Sequence, residues 1–266
     1  MRDSDSGPTR FEDAIEARGA DRYAGFLLPY LRPDMMVLDC GCGAATITLG
    51  LADAVPAGRL AAVDLERDSF AEVRCYAASI GRRNIAFAVA DATMLPFREA
   101  AFDAGLCHSV LETLAHPARA VAELRRVTKP GGVVGAASVE YGGIILAGER
   151  TVGPRRFYDI RQRLWRAEGI AEPNLGRRLR GLFEQAGFAR VEAFADYISY
   201  GTSDLVMAFA CDRGDECRGP ELRAAVTRHG IASVEELVQL AAAWEEWGSD
   251  AGAFFAFPWC RVLAWP

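Results

Sequence analysis

Three carboxylates at the ends of apolar runs mark where this chain can do chemistry. Asp39 closes Val37-Leu38-Asp39 and leads into Cys40-Gly41-Cys42-Gly43; Asp64 closes Arg59-Leu60-Ala61-Ala62-Val63-Asp64; Asp91 follows Ile85 to Val89. Gly41 and Gly43 lack side chains, so the backbone can turn sharply there and approach a ligand, and the helical stretch that follows presents unpaired amide groups. Such a turn holds the polar tail of a nucleotide-type molecule. A dinucleotide fingerprint would place Gly or Ala three residues after Gly43, where this chain has Thr46.

The acid directly before the glycines sharpens the reading. Asp39 would repel a phosphate but suits a ligand that carries an amine and a sulfonium, and that charge argument points to S-adenosylmethionine. Asp64 can accept both ribose hydroxyl hydrogens, and Leu65 beside it can pack on an adenine face. Asp91, followed by Ala92, can accept from the adenine amino group; its alternative role is a helix cap.

The elements that must position these residues alternate strand and helix from residue 35 to about 140, which predicts a parallel sheet covered on both faces. Strands are expected at Met35–Asp39, Leu60–Val63, Ile85–Val89, Ala104–Cys107 and Val133–Ser138, with helices at Ala45–Ala54, Ser69–Ile80 and Pro117–Val127. Pro130-Gly131-Gly132 predicts a tight turn into the fifth strand. Ahead of the sheet, Arg22 to Leu31 reads as an amphipathic helix. Helices are further expected at Arg155–Glu168, Leu175–Ala186 and within Thr202–Gly248, with a sixth strand at Phe188–Ser199. In the aromatic run 254–265 the second half reads as a final strand with Pro258 at its start, because proline cannot donate inside a central strand. One domain spanning 1–266 is preferred, with its core in about 20–140, 174–200 and 254–265 and lid insertions at about 141–173 and 202–248.

Composition narrows the class of partner. The 266 residues are 51% hydrophobic, yet no apolar run approaches the roughly 18 residues needed to span a bilayer. The polar start, Met1 to Pro8, lacks the pattern of a secretory signal, and seven cysteines without a regular framework suit a reducing compartment, so a cytoplasmic location is expected. A net charge of −6 argues against a nucleic-acid partner and for a small molecule. A homodimer is compatible with these features.

Several ordered blocks carry a family resemblance: Val37-Leu38-Asp39-Cys40-Gly41-Cys42-Gly43, Val63-Asp64, Asp91-Ala92-Thr93-Met94-Leu95-Pro96-Phe97, Phe102-Asp103, His108-Ser109-Val110-Leu111-Glu112 and Leu124-Arg125-Arg126-Val127-Thr128-Lys129-Pro130-Gly131-Gly132. With them the chain resembles a class I S-adenosylmethionine-dependent methyltransferase of the ubiquinone/menaquinone-methyltransferase-like group; the family's third glycine is Ala45 here. The resemblance implies an α/β, Rossmann-like, doubly wound, seven-stranded, mostly parallel sheet with the last strand antiparallel. It also implies that Asp39, Gly41 and Gly43 surround the methionine part, Asp64 the ribose and Asp91-Ala92 the adenine. Cys42 in the turn, Cys107 after the fourth strand, and Tyr23 ahead of the sheet complete the expected cofactor-binding set.

The acceptor side is less defined. His108, Glu112, Glu140 and Tyr141 lie just past the fourth and fifth strands, and any of them could act as a base, each also having a purely structural reading. Tyr158, Trp165, Tyr197 and Tyr200, with Tyr23, could line an apolar acceptor pocket. The expected acceptor is a hydroxyl or ring carbon of an aromatic or isoprenoid metabolite. No metal site is expected, since Cys40 and Cys42 have no second ligand pair at zinc spacing. The rival readings are an isomerase or cyclase that keeps the cofactor without methyl transfer, a non-catalytic binding module, and a nicotinamide-dependent dehydrogenase.

Overall fold

A computed structural model describes residues 19–66, 70–169 and 172–266. Strand β1 (Met36–Cys40) pairs in parallel with β2 (Arg59–Asp64) on one side and with β4 (Phe102–His108) on the other, and β3 (Ile85–Val89) lies outside β2. β5 (Thr128–Val139) continues the parallel set beside β4. Alternate side chains along these strands enter opposite layers: Leu38 and Cys107 join one core cluster, Val37 and Leu106 another. Helices α2 (Thr46–Ala54), α3 (Phe70–Ser79) and α4 (Pro117–Val127) make the crossovers, and α4 buries Ala120, Val121, Leu124 and Val127 at helical spacing. Ser69, where the sequence starts the second crossover helix, lies outside the described residues.

Two side-chain anchors fix the strand ends that carry the site. Asp103 accepts from the Met36 amide at 2.8 Å and from Lys129 Nζ at 2.7 Å, tying the start of β1 to β5. Arg126 donates to the carbonyls of Phe97 (2.8 Å) and Leu95 (3.0 Å), while Glu123 accepts the Leu95 amide at 2.8 Å. The loop that follows Asp91 is thereby pinned to α4.

The C-terminal half departs from expectation in instructive ways. Among the described residues the sheet has eight strands, one more than the seven expected: β8 (Phe254–Trp265) runs antiparallel between β5 and β7 (Arg190–Tyr200), and the short β6 (Ile145–Ala147) pairs with Phe254–Ala256 beyond the end of β5. β8 therefore includes the first half of the aromatic run, and Pro258 sits inside it. The proline is tolerated because its carbonyl accepts the Glu140 amide at 3.1 Å and its missing N–H falls where the chain leaves β5 before β6 begins. Gly131-Gly132, expected as a turn before the fifth strand, instead forms a bulge within β5, with Gly131 at φ +79°. The amphipathic helix expected over 22–31 is a short α1 (Ala20–Tyr23) and a 3₁₀ turn at Leu28–Tyr30 with Pro29 inside it. The helix expected over 175–186 divides into a 3₁₀ turn, Gly176–Arg178, and α6 (Leu179–Gln185).

The helices of the expected lid insertions, α5 (Val152–Ala167), α7 (Ser203–Arg218), α8 (Pro220–Arg228) and α9 (Val234–Gly248), enclose a separate aromatic cluster with Phe157, Trp244, Trp247 and Phe255 fully buried. Thr202 caps α7 and Ser233 caps α9 through their hydroxyls. Trp247 Nε1 donates to the Ala147 carbonyl at 2.8 Å, joining α9 to β6. No helix among the described residues is long and apolar enough to cross a membrane.

Candidate active site

The turn after β1 is built by backbone bonds to β2: the amides of Gly41 and Cys42 donate to the Val63 carbonyl at 2.7 and 3.0 Å. It bends through positive φ at Gly41 (+82°), Gly43 (+49°) and Ala45 (+59°), the residue before α2. Glycine adopts such angles without steric cost, whereas Ala45, in place of the family glycine, carries the strain of a left-handed L-residue. A Cβ on Gly41 would come within 2.0 Å of Val110, while one on Gly43 would meet no atom within 4 Å. The space over Gly43 is thus open, and it faces the end of β4.

Asp39 is buried directly behind this turn and accepts from Thr48 Oγ1 at 2.7 Å. Burial pushes its carboxyl up to about 6; the Thr48 bond partly counters that push and Asp64 adds to it. Asp64 accepts the Gly43 amide on one oxygen at 2.8 Å and the Glu66 amide on the other at 3.1 Å, which fixes the plane of its carboxylate. Gly41, Gly43, Asp64, Leu65, Ala92, Ser109, Val110 and Leu114 are among the residues around a cavity of about 220 Å³. Asp64, the open glycine turn and the apolar wall of Leu65 and Leu114 fit S-adenosylmethionine, a molecule with a cationic end, a ribose and a flat base; Asp39, expected to touch the ligand, is buried behind the turn and outside this lining.

Other expected residues take different places. Asp91 accepts the Thr93 amide (2.7 Å) and hydroxyl (2.8 Å), which hold its carboxyl below the ordinary range and make it a turn cap, while its neighbours Ala90 and Ala92 line the cavity. Cys42 is half-buried outside the lining, and burial with Asp39 nearby keeps its thiol protonated. Cys107 is fully buried beside Cys40, in the core rather than at the cavity wall. Among the described residues no three His, Cys, Asp or Glu side chains cluster in a way that could hold a metal ion.

A second cavity, of about 390 Å³, lies between the sheet edge and α7, lined by Tyr23, Ser109, Val139, Tyr141, Ile198, Tyr200, Phe209, Asp212, Arg213, Phe257 and Trp259 among others. Tyr23 therefore faces this cavity rather than the first. Tyr141 and Tyr200 also line it, but Tyr158 and Trp165 stand behind Tyr141 at 6.2 and 4.6 Å between ring centroids, and Tyr197, half-exposed, donates to the Gly143 carbonyl at 3.1 Å. Sequence reasoning does not single out Phe209, Phe257 or Trp259; the aromatic run at 254–265 is the available signal for the last two, and Phe209 on α7 has none.

The candidate bases separate clearly. Glu140 is engaged by Arg177 through its backbone amide (3.1 Å), its Nε (3.0 Å) and its Nη2, and so ties the end of β5 to the 3₁₀ turn at Gly176–Arg178. Tyr141 is pushed up to about 12 by burial and by Glu112, so at neutral pH it is a donor. His108 is buried, with its ring 4.5 Å from that of Trp259. Glu112 is buried and accepts from Ser109 Oγ at 3.0 Å and Ser138 Oγ at 2.7 Å; burial raises its carboxyl pKa against those bonds. A larger depression, about 690 Å³, lies at the opposite ends of β2 and β3 and is bordered by the Asp53–Arg82 ion pair, away from the carboxyl ends where open α/β sheets bind ligands.

Residues 38–135 match the family model described as a methyltransferase domain. The probable methyltransferase ltbC of Aspergillus luteorubrus is 28% identical over 94% of this chain and 92% of its own length. The ubiquinone/menaquinone biosynthesis C-methyltransferase UbiE of Bordetella avium is 37% identical over 38% of this chain and 40% of its own. Among solved structures, the [4+2]-cyclase SpnF superposes with a TM-score of 0.51 and 22% identity, covering 97% of this chain and 80% of that one, a likeness of fold. The chain thus spans about two fifths of the bacterial relative and nearly all of the fungal one. The strand-end carboxylates and the glycine turn lie within the matched stretch, 38–135, and these matches support a class I S-adenosylmethionine-dependent methyltransferase of the UbiE-like group.

Proposed function

We infer that the protein methylates a hydroxyl or ring carbon of an aromatic or isoprenoid small molecule, seated in the second cavity. The observation that carries this reading is that the two cavities share Ser109 in their linings: one is bordered by Gly41, Gly43 and Asp64, the other by Tyr23, Tyr141, Tyr200, Phe257 and Trp259. When bound, S-adenosylmethionine supplies an electrophilic methyl group on a sulfonium. In this reading Asp64 holds the ribose hydroxyls, Leu65 and Ala92 flank the base, and the Gly41–Gly43 turn meets the methionine end. Asp39 sets the charge behind that turn. The aromatic wall confines the acceptor, and alignment of an in-line displacement supplies much of the rate. Lining side chains are mostly apolar, with one acid, Asp212, and one base, Arg213, which suits a ring system better than a polyanion.

Incubation with S-adenosylmethionine and a panel of phenolic and prenylated aromatic compounds tests the reading. Release of one S-adenosylhomocysteine per product one methyl group heavier is the expected result. Turnover of such a compound without that release would replace methyl transfer with isomerisation or cyclisation, the activity named for SpnF.

A further inference from the structure

Ser109 stands at the one position shared by both cavity linings, and its backbone has a positive φ of +58°, rare for a residue other than glycine. Its amide donates to the Ala137 carbonyl at 2.9 Å, so β5 holds the residue in that conformation. Its hydroxyl donates to Glu112 Oε1 at 3.0 Å, and Ser138 Oγ occupies Oε2 at 2.7 Å. A hydroxyl committed as donor to a carboxylate keeps its lone pairs as an acceptor for an incoming O–H. We propose that Ser109 is a catalytic residue, taking the proton of the methyl acceptor at the junction of the two cavities, and that the buried Glu112 carboxylate is the sink behind it. The proposal rests on the reading of the two cavities as donor and acceptor sites.

The step balances. The acceptor O–H bond breaks and its proton passes to Ser109 Oγ as the serine proton passes to Glu112 Oε1. The acceptor oxygen pair forms the new bond to the methyl carbon while the carbon–sulfur bond breaks and leaves its electrons on sulfur. Before the step a carboxylate and a sulfonium are charged; afterwards both partners are neutral, a favourable change in a site screened from water. The other groups around Glu112 do not compete for the proton. The hydrogen bond with Cys40, together with burial, keeps the Cys107 thiol on β4 protonated, and burial does the same for the Tyr141 phenol after β5; Glu140 is held by Arg177, and Arg213 of α7 is paired with Glu216. Asp39 on β1 also senses the cationic end of the donor, and His108 sits beside Ser109 on the same strand end, so the test compares variants rather than one pH profile.

Ser109→Gly removes the hydroxyl and relieves the positive φ, so it should fold as the parent does. Glu112→Gln removes the sink, and Glu112→Asp keeps a carboxylate. Calorimetry measures the ratio of S-adenosylmethionine to S-adenosylhomocysteine affinity between about pH 5 and about pH 8. The ratio should rise with pH in the parent and in Ser109→Gly, and rise less in Glu112→Gln. With phenols of graded acidity as acceptors, both Ser109→Gly and Glu112→Gln should lose roughly 10²–10⁴-fold in kcat, the loss shrinking as the phenol becomes more acidic, with partial recovery in Glu112→Asp. Identical ratio profiles for the parent and Glu112→Gln, or losses independent of phenol acidity, would overturn the pair; a parent that binds the cofactor yet turns over no phenol would overturn the Ser109 step together with the acceptor reading. Failure of the parent to bind either cofactor form would instead overturn the donor-site reading.

Discussion

The two halves of the site are made of different material. At the ends of β1 and β2 the ligand-facing surface is backbone and short side chains: Gly41, Gly43, Asp64 and Ala92 lie within a few residues of strand ends, and their bonds run to neighbouring strands. Across the junction, the wall is aromatic side chain drawn from α1, β7, α7 and β8, supported by the lid cluster around Trp244 and Trp247. Backbone geometry with positive φ favours few residue types, and of the three such positions in this turn two are glycine and one alanine. An aromatic wall is satisfied by many combinations of side chains. On the function proposed above, the donor half would report the chemistry and the acceptor half one particular substrate.

Separating the halves experimentally begins with the largest perturbation. Trp244→Ala empties a fully buried site in the lid cluster and should cost about 3–5 kcal/mol. Acceptor turnover should collapse while S-adenosylmethionine still binds, as calorimetry would record; equal loss of both would mean that the halves are one cooperative unit.

Asp39→Asn comes next, with an expected drop of about 10–100-fold in S-adenosylmethionine affinity at neutral pH, corresponding to about 1.4–2.8 kcal/mol. The ligand-free protein should respond in the opposite sense. Because burial raises the Asp39 carboxyl to about 6, the folded chain holds a proton that the unfolded chain releases near its ordinary value, so stability falls as pH rises through that window and is lowest above it. Asparagine removes the penalty, and its thermal midpoint above pH 6 should exceed the parent's. S-adenosylmethionine affinity of the parent should rise over the same window as the carboxylate forms; a flat profile would remove Asp39 from the donor half.

Smaller effects sharpen the boundary. Glu140→Gln weakens the bonds to Arg177 and should lower the melting temperature by a few degrees with kcat nearly unchanged, whereas a large loss of kcat would return Glu140 to the chemistry. Tyr197→Phe removes a half-exposed bond to Gly143 and should leave both stability and turnover close to the parent; a changed KM for acceptor would extend the second cavity to that residue.

Legibility in the sequence follows the same division. The strands from β1 to β5, the crossover helices and the turn at Gly41–Gly43 are readable because hydrophobic period and punctuation by glycine and proline are local signals. Asp91 shows the limit even there, since a carboxylate two residues before a threonine can equally accept from the turn or from a ligand. Tyr158 and Tyr200 illustrate the harder case. Both are aromatic residues next to helices or strands of the lid region, yet only Tyr200 reaches the cavity, and that outcome depends on how α5 and α7 pack against β8. β6 was invisible for a related reason: three residues without alternation become a strand only because β8 is long enough to outrun β5. Ser109 carried no signal by type, and its position at the junction is a property of tertiary structure.

Arg261 draws these observations into the order of assembly. This side chain, 3% exposed in β8, donates to the Tyr23 carbonyl at 2.8 Å across 238 residues of sequence and to Asp196 on β7 at 2.9 Å. The residue that fastens one wall of the second cavity is thus supplied by β8, the last of the described strands in chain order, which lies between β5 and β7. On the ribosome, the glycine turn and its carboxylates can form while the remainder of the chain is still being synthesised. The second cavity gains the Arg261 bond to Tyr23 only once β8 has been made, so on a nascent chain the glycine turn is expected before that wall.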